Sequence, residues 1–187
     1  MLAFSITPIY PHAPTKGLVQ CVSETPNDSL AHIAISTVTG ASSGFGKALT
    51  EVVLRKGDIV VATLRKPSVL ASLTRQYPPS QLLLLTLDVT RPSDIAAAFA
   101  RTREVFGRLD VVFNNAGYAM FGEAEGTTDA NARALFEVNF WGAVGVTLEA
   151  IKFFREVNLP GKGGVILQNS SMSGFFGAPV VAFYSAR

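Results

Sequence analysis

The chain holds a single cysteine, Cys21, and two histidines in 187 residues. An internal disulfide is excluded, and with no Cys/His cluster neither a disulfide-stapled fold nor structural zinc is expected. A reducing compartment follows, so the expected location is cytoplasmic and the expected metal content is none. Charge is also sparse: 16% of residues are Asp, Glu, Lys or Arg, and the formal net charge is +2. The basic residues are scattered, which predicts no stripe for nucleic acid or anionic lipid. Long apolar runs are missing too. Stretches such as Leu82 to Leu85 fall well short of the roughly 18 residues a membrane helix needs, and a soluble protein without a membrane partner is expected. The start Met1-Leu2-Ala3-Phe4-Ser5 has no basic n-region and no long apolar core, which argues against a secretory signal.

What is present is a 48% hydrophobic sequence, which at this length suits one domain with a real core. Residues 1–30 stand apart, with prolines at 8, 11, 14 and 26 and no sustained period. They cannot be a strand array and are predicted to be a mobile or irregular extension, in which Cys21 and His12 are solvated. Over 31–187, short apolar runs alternate with amphipathic segments, the signature of βαβ units and a parallel sheet. Strands are predicted at 32–38, 59–63, 82–87, 109–113 and 165–168, and helices over 44–56, 67–76, 92–107 and 129–157, with another opening near 184. Right-handed crossovers give a doubly wound α/β sheet in strand order 3-2-1-4-5. The order reverses between the first and fourth strands, and ligands of open α/β sheets bind at such a reversal.

The residues least suited to a core strand all fall just after a predicted strand. First comes Thr39-Gly40-Ala41-Ser42-Ser43-Gly44-Phe45-Gly46, a strand, glycine turn and helix start. Free N–H groups and the dipole at a helix N-terminus hold an anion without a cationic side chain. Gly40 supplies a positive φ, Gly44 a close backbone approach to a pyrophosphate and Gly46 close packing of helix on sheet, while Ser42 and Ser43 add hydroxyls. The competing reading is a Gly/Ser-rich surface turn. After the second strand comes Arg65-Lys66 and no carboxylate. That favours a ribose 2′-phosphate, hence NADP over NAD, against solvated surface charge. Asp88, with Val89 beside it, accepts from an adenine amino group or caps its own turn. Asn114-Asn115-Ala116-Gly117 closes the fourth strand, and a turn-supporting role suits Asn114. Asn139 lies in an apolar helix, where its amide must find partners, either within the core or at the crevice. Ser171 and Tyr184 are placed to hold a carbonyl oxygen, the serine by hydrogen bond and the tyrosine by proton transfer. A phenol near pKa 10 needs a nearby cation for that work.

In this order the segments resemble the short-chain dehydrogenase/reductase family, from about residue 31 to the last residue. Thr39 to Gly46 is similar to the TGxxxGxG cofactor turn, and Tyr184 to the start of a YxxxK motif. The resemblance implies a Rossmann-type fold and hydride transfer between nicotinamide and the carbonyl or alcohol carbon of a small molecule. It implies cofactor contacts at Gly40, Ser42, Ser43, Gly44, Phe45, Gly46, Arg65, Asp88, Val89, Asn115, Ala116, Gly117 and Tyr184. The implied catalytic residues are Ser171, which orients the carbonyl, Tyr184, the acid/base, and Asn139, which supports a water-linked proton relay. The motif lysine would be residue 188, so the chain resembles a member that is incomplete at its C-terminal end. Arg187 is not expected to replace the lysine, since it exchanges protons poorly and sits beside the terminal carboxylate. The alternative is a catalytically impaired nucleotide-binding fragment. Full-length relatives are expected to be homo-oligomers. Here a bare sheet face over the fourth and fifth strands, with an open edge at the fifth, predicts self-association.

Overall fold

The computed structural model describes residues 4–9 and 33–186; the readings attached to His12, Cys21 and Arg187 fall outside them. One six-stranded sheet is built from β1 (Phe4–Ile9), β2 (Ile35–Thr39), β3 (Ile59–Leu64), β4 (Leu82–Thr86), β5 (Val111–Asn114) and β6 (Gly164–Asn169). Strands β2 to β6 are parallel and lie in the order β4-β3-β2-β5-β6. Counted along the chain, that is the expected 3-2-1-4-5. The edge expected to be open is covered, because β1 pairs antiparallel with β6, Phe4 opposite Asn169 and Ile9 opposite Gly164. Within the segment expected to be a mobile or irregular extension, Phe4–Ile9 is thus a single edge strand. Pro8 argued against one, yet an edge strand tolerates proline because one row of its N–H groups faces away from the ladder.

Strand alternation sorts the core into two layers. Ile35, Val61, Val112 and Ile166 pack with Phe99 and Phe153, under α3 (Pro92–Phe106) and the helix that contains Phe153. Val38, Val60, Ala62 and Phe113 pack with Leu54, Leu70 and Leu73. Those leucines come from α1 (Gly44–Arg55), a 3-10 turn at Pro67–Leu70 and α2 (Ala71–Thr74). Because α1 and α2 follow β2 and β3, their layer thins over β6, where Val165 and Leu167 are half-buried.

The long helix predicted over 129–157 is present with an interruption. It runs as α4 (Asp129–Phe136), a π-helical turn at Glu137–Gly142 and α5 (Ala143–Glu156). Two contacts sit at the widened turn: the Asn139 amide bonds the Tyr118 backbone, and Gly142 lies so close to Val89 that a Cβ would come within 2.7 Å of its Cγ2. Periodicity alone does not register one extra residue in a turn. By length and mean hydropathy this 28-residue rod is apolar enough to cross a membrane, a property that a search for unbroken apolar runs misses. Its buried residues Val146, Ala150, Phe153 and Phe154 face the sheet and α3. The last helix, α6 (Ala182–Ser185), carries Tyr184.

Candidate active site

The glycine turn leaves β2 as its residue types require. Gly40 has φ +65° and Gly44 φ +52°, values that side chains other than glycine adopt at a cost. A Cβ on Gly44 would meet nothing within 4 Å, so the backbone there is open to a ligand. On Gly46 it would lie 2.4 Å from the Gly40 carbonyl oxygen, which shows how closely α1 approaches the turn. Ser43 precedes α1 in an extended conformation without capping it through its side chain, and no acidic residue occupies the first turn. The helix N-terminus is therefore left available to an anion.

This turn opens into a cleft of about 440 Å³. Gly40, Ser42, Ser43, Gly44 and Phe45 line it from the turn, Arg65 from the end of β3, Asp88 and Val89 from the end of β4, and Asn115, Ala116 and Gly117 from the end of β5. Gly46 is buried beneath the turn, and Lys66 does not line the cleft. Asp88 Oδ1 accepts from the Thr90 N–H at 3.0 Å and from the Thr90 hydroxyl at 2.8 Å. These bonds, aided by Arg65 and Arg91, hold its carboxyl below the usual carboxylate range against an opposing effect of burial. Both bonds fall on one oxygen, so the turn-capping reading of Asp88 and its place in the cleft are compatible.

A second cleft of about 380 Å³ adjoins the first and shares Phe45, Asn115, Ala116, Gly117, Tyr118 and Asn169 with it. Here Ser171, Tyr184 and Asn139 come together. Ser171 Oγ accepts from the Ser173 N–H at 3.2 Å, opening the 3-10 turn at Met172–Gly174; the hydroxyl proton is left to donate elsewhere. Asn139 Nδ2 donates to the Tyr118 carbonyl at 2.8 Å and its Oδ1 accepts from the Tyr118 N–H at 3.0 Å. Its amide is satisfied by the loop after β5 and pins that loop beside the cleft. Asn114 is buried and donates to the Ala143 carbonyl at 2.8 Å and to Thr147 Oγ1 at 3.3 Å, joining β5 to α5. Among the described residues, no group of three or more His, Cys, Asp or Glu side chains is placed to hold a metal ion.

One rim thus joins an open helix N-terminus to a Ser/Tyr pair, and the family model described as short chain dehydrogenase matches residues 34–187. The chain belongs to the short-chain dehydrogenase family. An uncharacterized oxidoreductase of Schizosaccharomyces pombe is 40% identical over 149 residues, covering 80% of this chain and 48% of that protein. The oxidoreductase calM of Penicillium decumbens is 41% identical over 153 residues, covering 80% of this chain and 49% of its own length. A short-chain dehydrogenase structure from Streptomyces avermitilis superposes with a TM-score of 0.76 at 34% identity, over 84% of this chain and 56% of that one. This short-chain dehydrogenase chain therefore spans about half the length of the curated relatives it matches.

Two site features were not singled out from sequence. Tyr118 holds Asn139 through its backbone, a contact that loop geometry decides. Asn169, at the C-terminal end of β6, lines both clefts. Its position was accessible, since strand pairing sets which residues after β5 and β6 become neighbours.

Proposed function

We propose that this short-chain dehydrogenase is an NADP-dependent oxidoreductase acting on a carbonyl or alcohol carbon of a small, neutral, apolar molecule. The observation that carries the reading is the continuity of the two clefts. A ligand seated by its diphosphate over Gly44 reaches past Asn115 and Gly117 to Ser171 and Tyr184. The residues fit a dinucleotide: the backbone is open at Gly44, the α1 N-terminus is uncapped by side chains, and the Arg65 guanidinium, which lines the first cleft, suits a ribose 2′-phosphate. When bound, the nicotinamide supplies or accepts the hydride. The Ser171 hydroxyl donates to the substrate oxygen, and Tyr184 transfers a proton to or from it. A phenol needs a neighbouring cation for that role, and the family pattern puts a lysine four residues beyond the tyrosine. Proton transfer is accordingly proposed for a chain that carries this lysine, and dinucleotide binding for residues 1–187 themselves.

Relatives bear names with either cofactor. A reductase of Saccharomyces cerevisiae is NADPH-dependent, and a Brucella melitensis reductase structure is complexed with NADH. Arg65 favours NADP here. The substrate class follows from the loops beside the Ser/Tyr cleft, which the Gly122 N–H joins by donating to the Val180 carbonyl at 2.8 Å. They expose Phe121, Phe175 and Phe176, and the charged residues in 117–127 and 170–186 are Glu123 and Glu125 alone. Exposed aromatics suit an apolar body, and two carboxylates disfavour an anionic one. A cytoplasmic location, homo-oligomerisation and the absence of nucleic-acid or membrane partners belong to the same reading, resting on the cysteine, charge and apolar-surface arguments.

Titration with NADPH and NADH is the test. NADPH is expected to bind at least about tenfold tighter, as a charge-assisted contact warrants, and Arg65→Ala is expected to erase the difference. Equal or tighter NADH binding would refute the NADP assignment. On a panel of aldehydes and ketones, any turnover is expected to vanish in Tyr184→Phe.

A further inference from the structure

The register of the sheet lines up three residues along its C-terminal rim. Val38 pairs with Phe113, and Phe113 with Leu167. Two residues on, Gly40, Asn115 and Asn169 are lateral neighbours that continue the α1-side face. The row is hydrogen-bonded. Asn169 Nδ2 donates to Asn115 Oδ1 at 2.8 Å, and Asn115 Nδ2 donates to the Thr39 carbonyl at 2.9 Å and the Gly40 carbonyl at 3.5 Å. Its direction is forced. Backbone carbonyls only accept, so Asn115 turns its amino group to the glycine turn and its oxygen to Asn169, which must answer with its own amino group.

Two further facts show what this arrangement does. A Cβ on Gly46 would lie 2.7 Å from Asn115 Nδ2, and one on Gly40 3.3 Å from the same atom. The Asn115 amide is therefore wedged beneath the turn, in space both glycines leave open. Asn169 closes the wedge from the other side, and its own Oδ1 is left buried with no partner among the described residues. A buried unpaired acceptor is unfavourable, and an aliphatic side chain of similar volume would avoid it. What such a side chain lacks is the donor to Asn115.

We propose that Asn169 is a positioning residue for the dinucleotide. By holding the Asn115 amide against Thr39 and Gly40, it fixes the diphosphate turn before ligand arrives and ties it to the strand that leads, two residues later, to Ser171. The inference rests on the dinucleotide reading above and adds a residue that acts on the turn through Asn115. Losing the donor frees the wedge, so the turn loosens and dinucleotide affinity falls whether or not the nicotinamide is present.

The experiment uses the full chain with Asn169→Leu, or Asn169→Ala should leucine not fold. NADPH and 2′-phospho-ADP-ribose, which lacks the nicotinamide, are titrated by calorimetry, and amide hydrogen exchange is followed over residues 39–47 without ligand. Expected are about tenfold weaker binding of both ligands, the scale of one lost amide hydrogen bond, and faster exchange at 39–47 with β3 and β4 unchanged. Unaltered affinity and exchange in a variant of a wild-type chain that does bind NADPH would overturn this inference alone. Weakened NADPH binding with unchanged fragment binding would overturn it in favour of direct contact with the nicotinamide. A wild-type chain that binds neither ligand would overturn the dinucleotide reading, and this inference with it.

Discussion

Val180 is the one described residue other than glycine with a positive φ, +60°. A β-branched side chain is poorly suited to that region, and strain of this kind costs roughly 1–3 kcal/mol. The surroundings that impose it are visible: the Val180 carbonyl accepts from the Gly122 N–H at 2.8 Å, and the next residue, Val181, is buried. The strained residue thus docks the start of α6, and with it Tyr184, against the loop after β5. Val180→Gly is expected to remove the strain and to lose up to about 1 kcal/mol to unfolded-state entropy. The net gain of about 1 kcal/mol amounts to a few degrees in thermal midpoint for a domain of this size, and an unchanged or lower midpoint by calorimetry would contradict it. Nothing in the sequence marks Val180, because positive φ at a valine is imposed by tertiary contacts. The placement of Arg65, Asp88, Ser171 and Tyr184 on one rim was readable, since each follows a strand or opens a helix at a known end of a parallel sheet. The same logic does not reach the Asn139 partner, which a ten-residue loop between Gly117 and Thr128 is free to place in many ways.

At the scale of elements, a π turn and an edge strand depart most from the pattern. Apolar spacing predicts the rod from 129 to 157 well, yet it averages over the six residues Glu137–Gly142, whose widened turn carries Asn139 and lets Gly142 pass Val89. A six-residue β1 is too short for its alternation to outweigh prolines nearby, and a partner 160 or so residues away supplies its hydrogen bonds. Because β1 is the antiparallel lid on an otherwise unpaired row of β6 N–H and C=O groups, its removal has a definite consequence. Deleting residues 1–9 is expected to lower the thermal midpoint and to shift the protein toward higher-mass species in light scattering after gel filtration. Retention of the wild-type profile by the deletion would mean that β1 contributes nothing to closing the sheet.

For the whole molecule, strand order was legible because the right-handed crossover rule leaves one arrangement for alternating strands and helices. What covers the outer surfaces was not, because burial on the far side of a helix depends on neighbours that pattern alone does not supply. The outer side of the α4–α5 rod exposes Phe140, Trp141 and Leu148, the last at 63% of its full accessibility. Beside them Ala143, Val144, Thr147 and Gln168 line a shallow groove. A net charge of +2 offers little repulsion between copies, and an apolar strip along the outer side of this rod suits packing against a second helix. Self-association through this strip is therefore expected. By sedimentation, the average mass should exceed 19.9 kDa and rise with concentration, with weak dependence on salt because burial of apolar area drives it. Leu148→Glu puts a charge at the centre of the strip, and burying an unpaired carboxylate is costly enough to return the chain to monomer. If Leu148→Glu associates as strongly as the wild type, the contact lies elsewhere, and the edge beside β1 becomes the surface to change next.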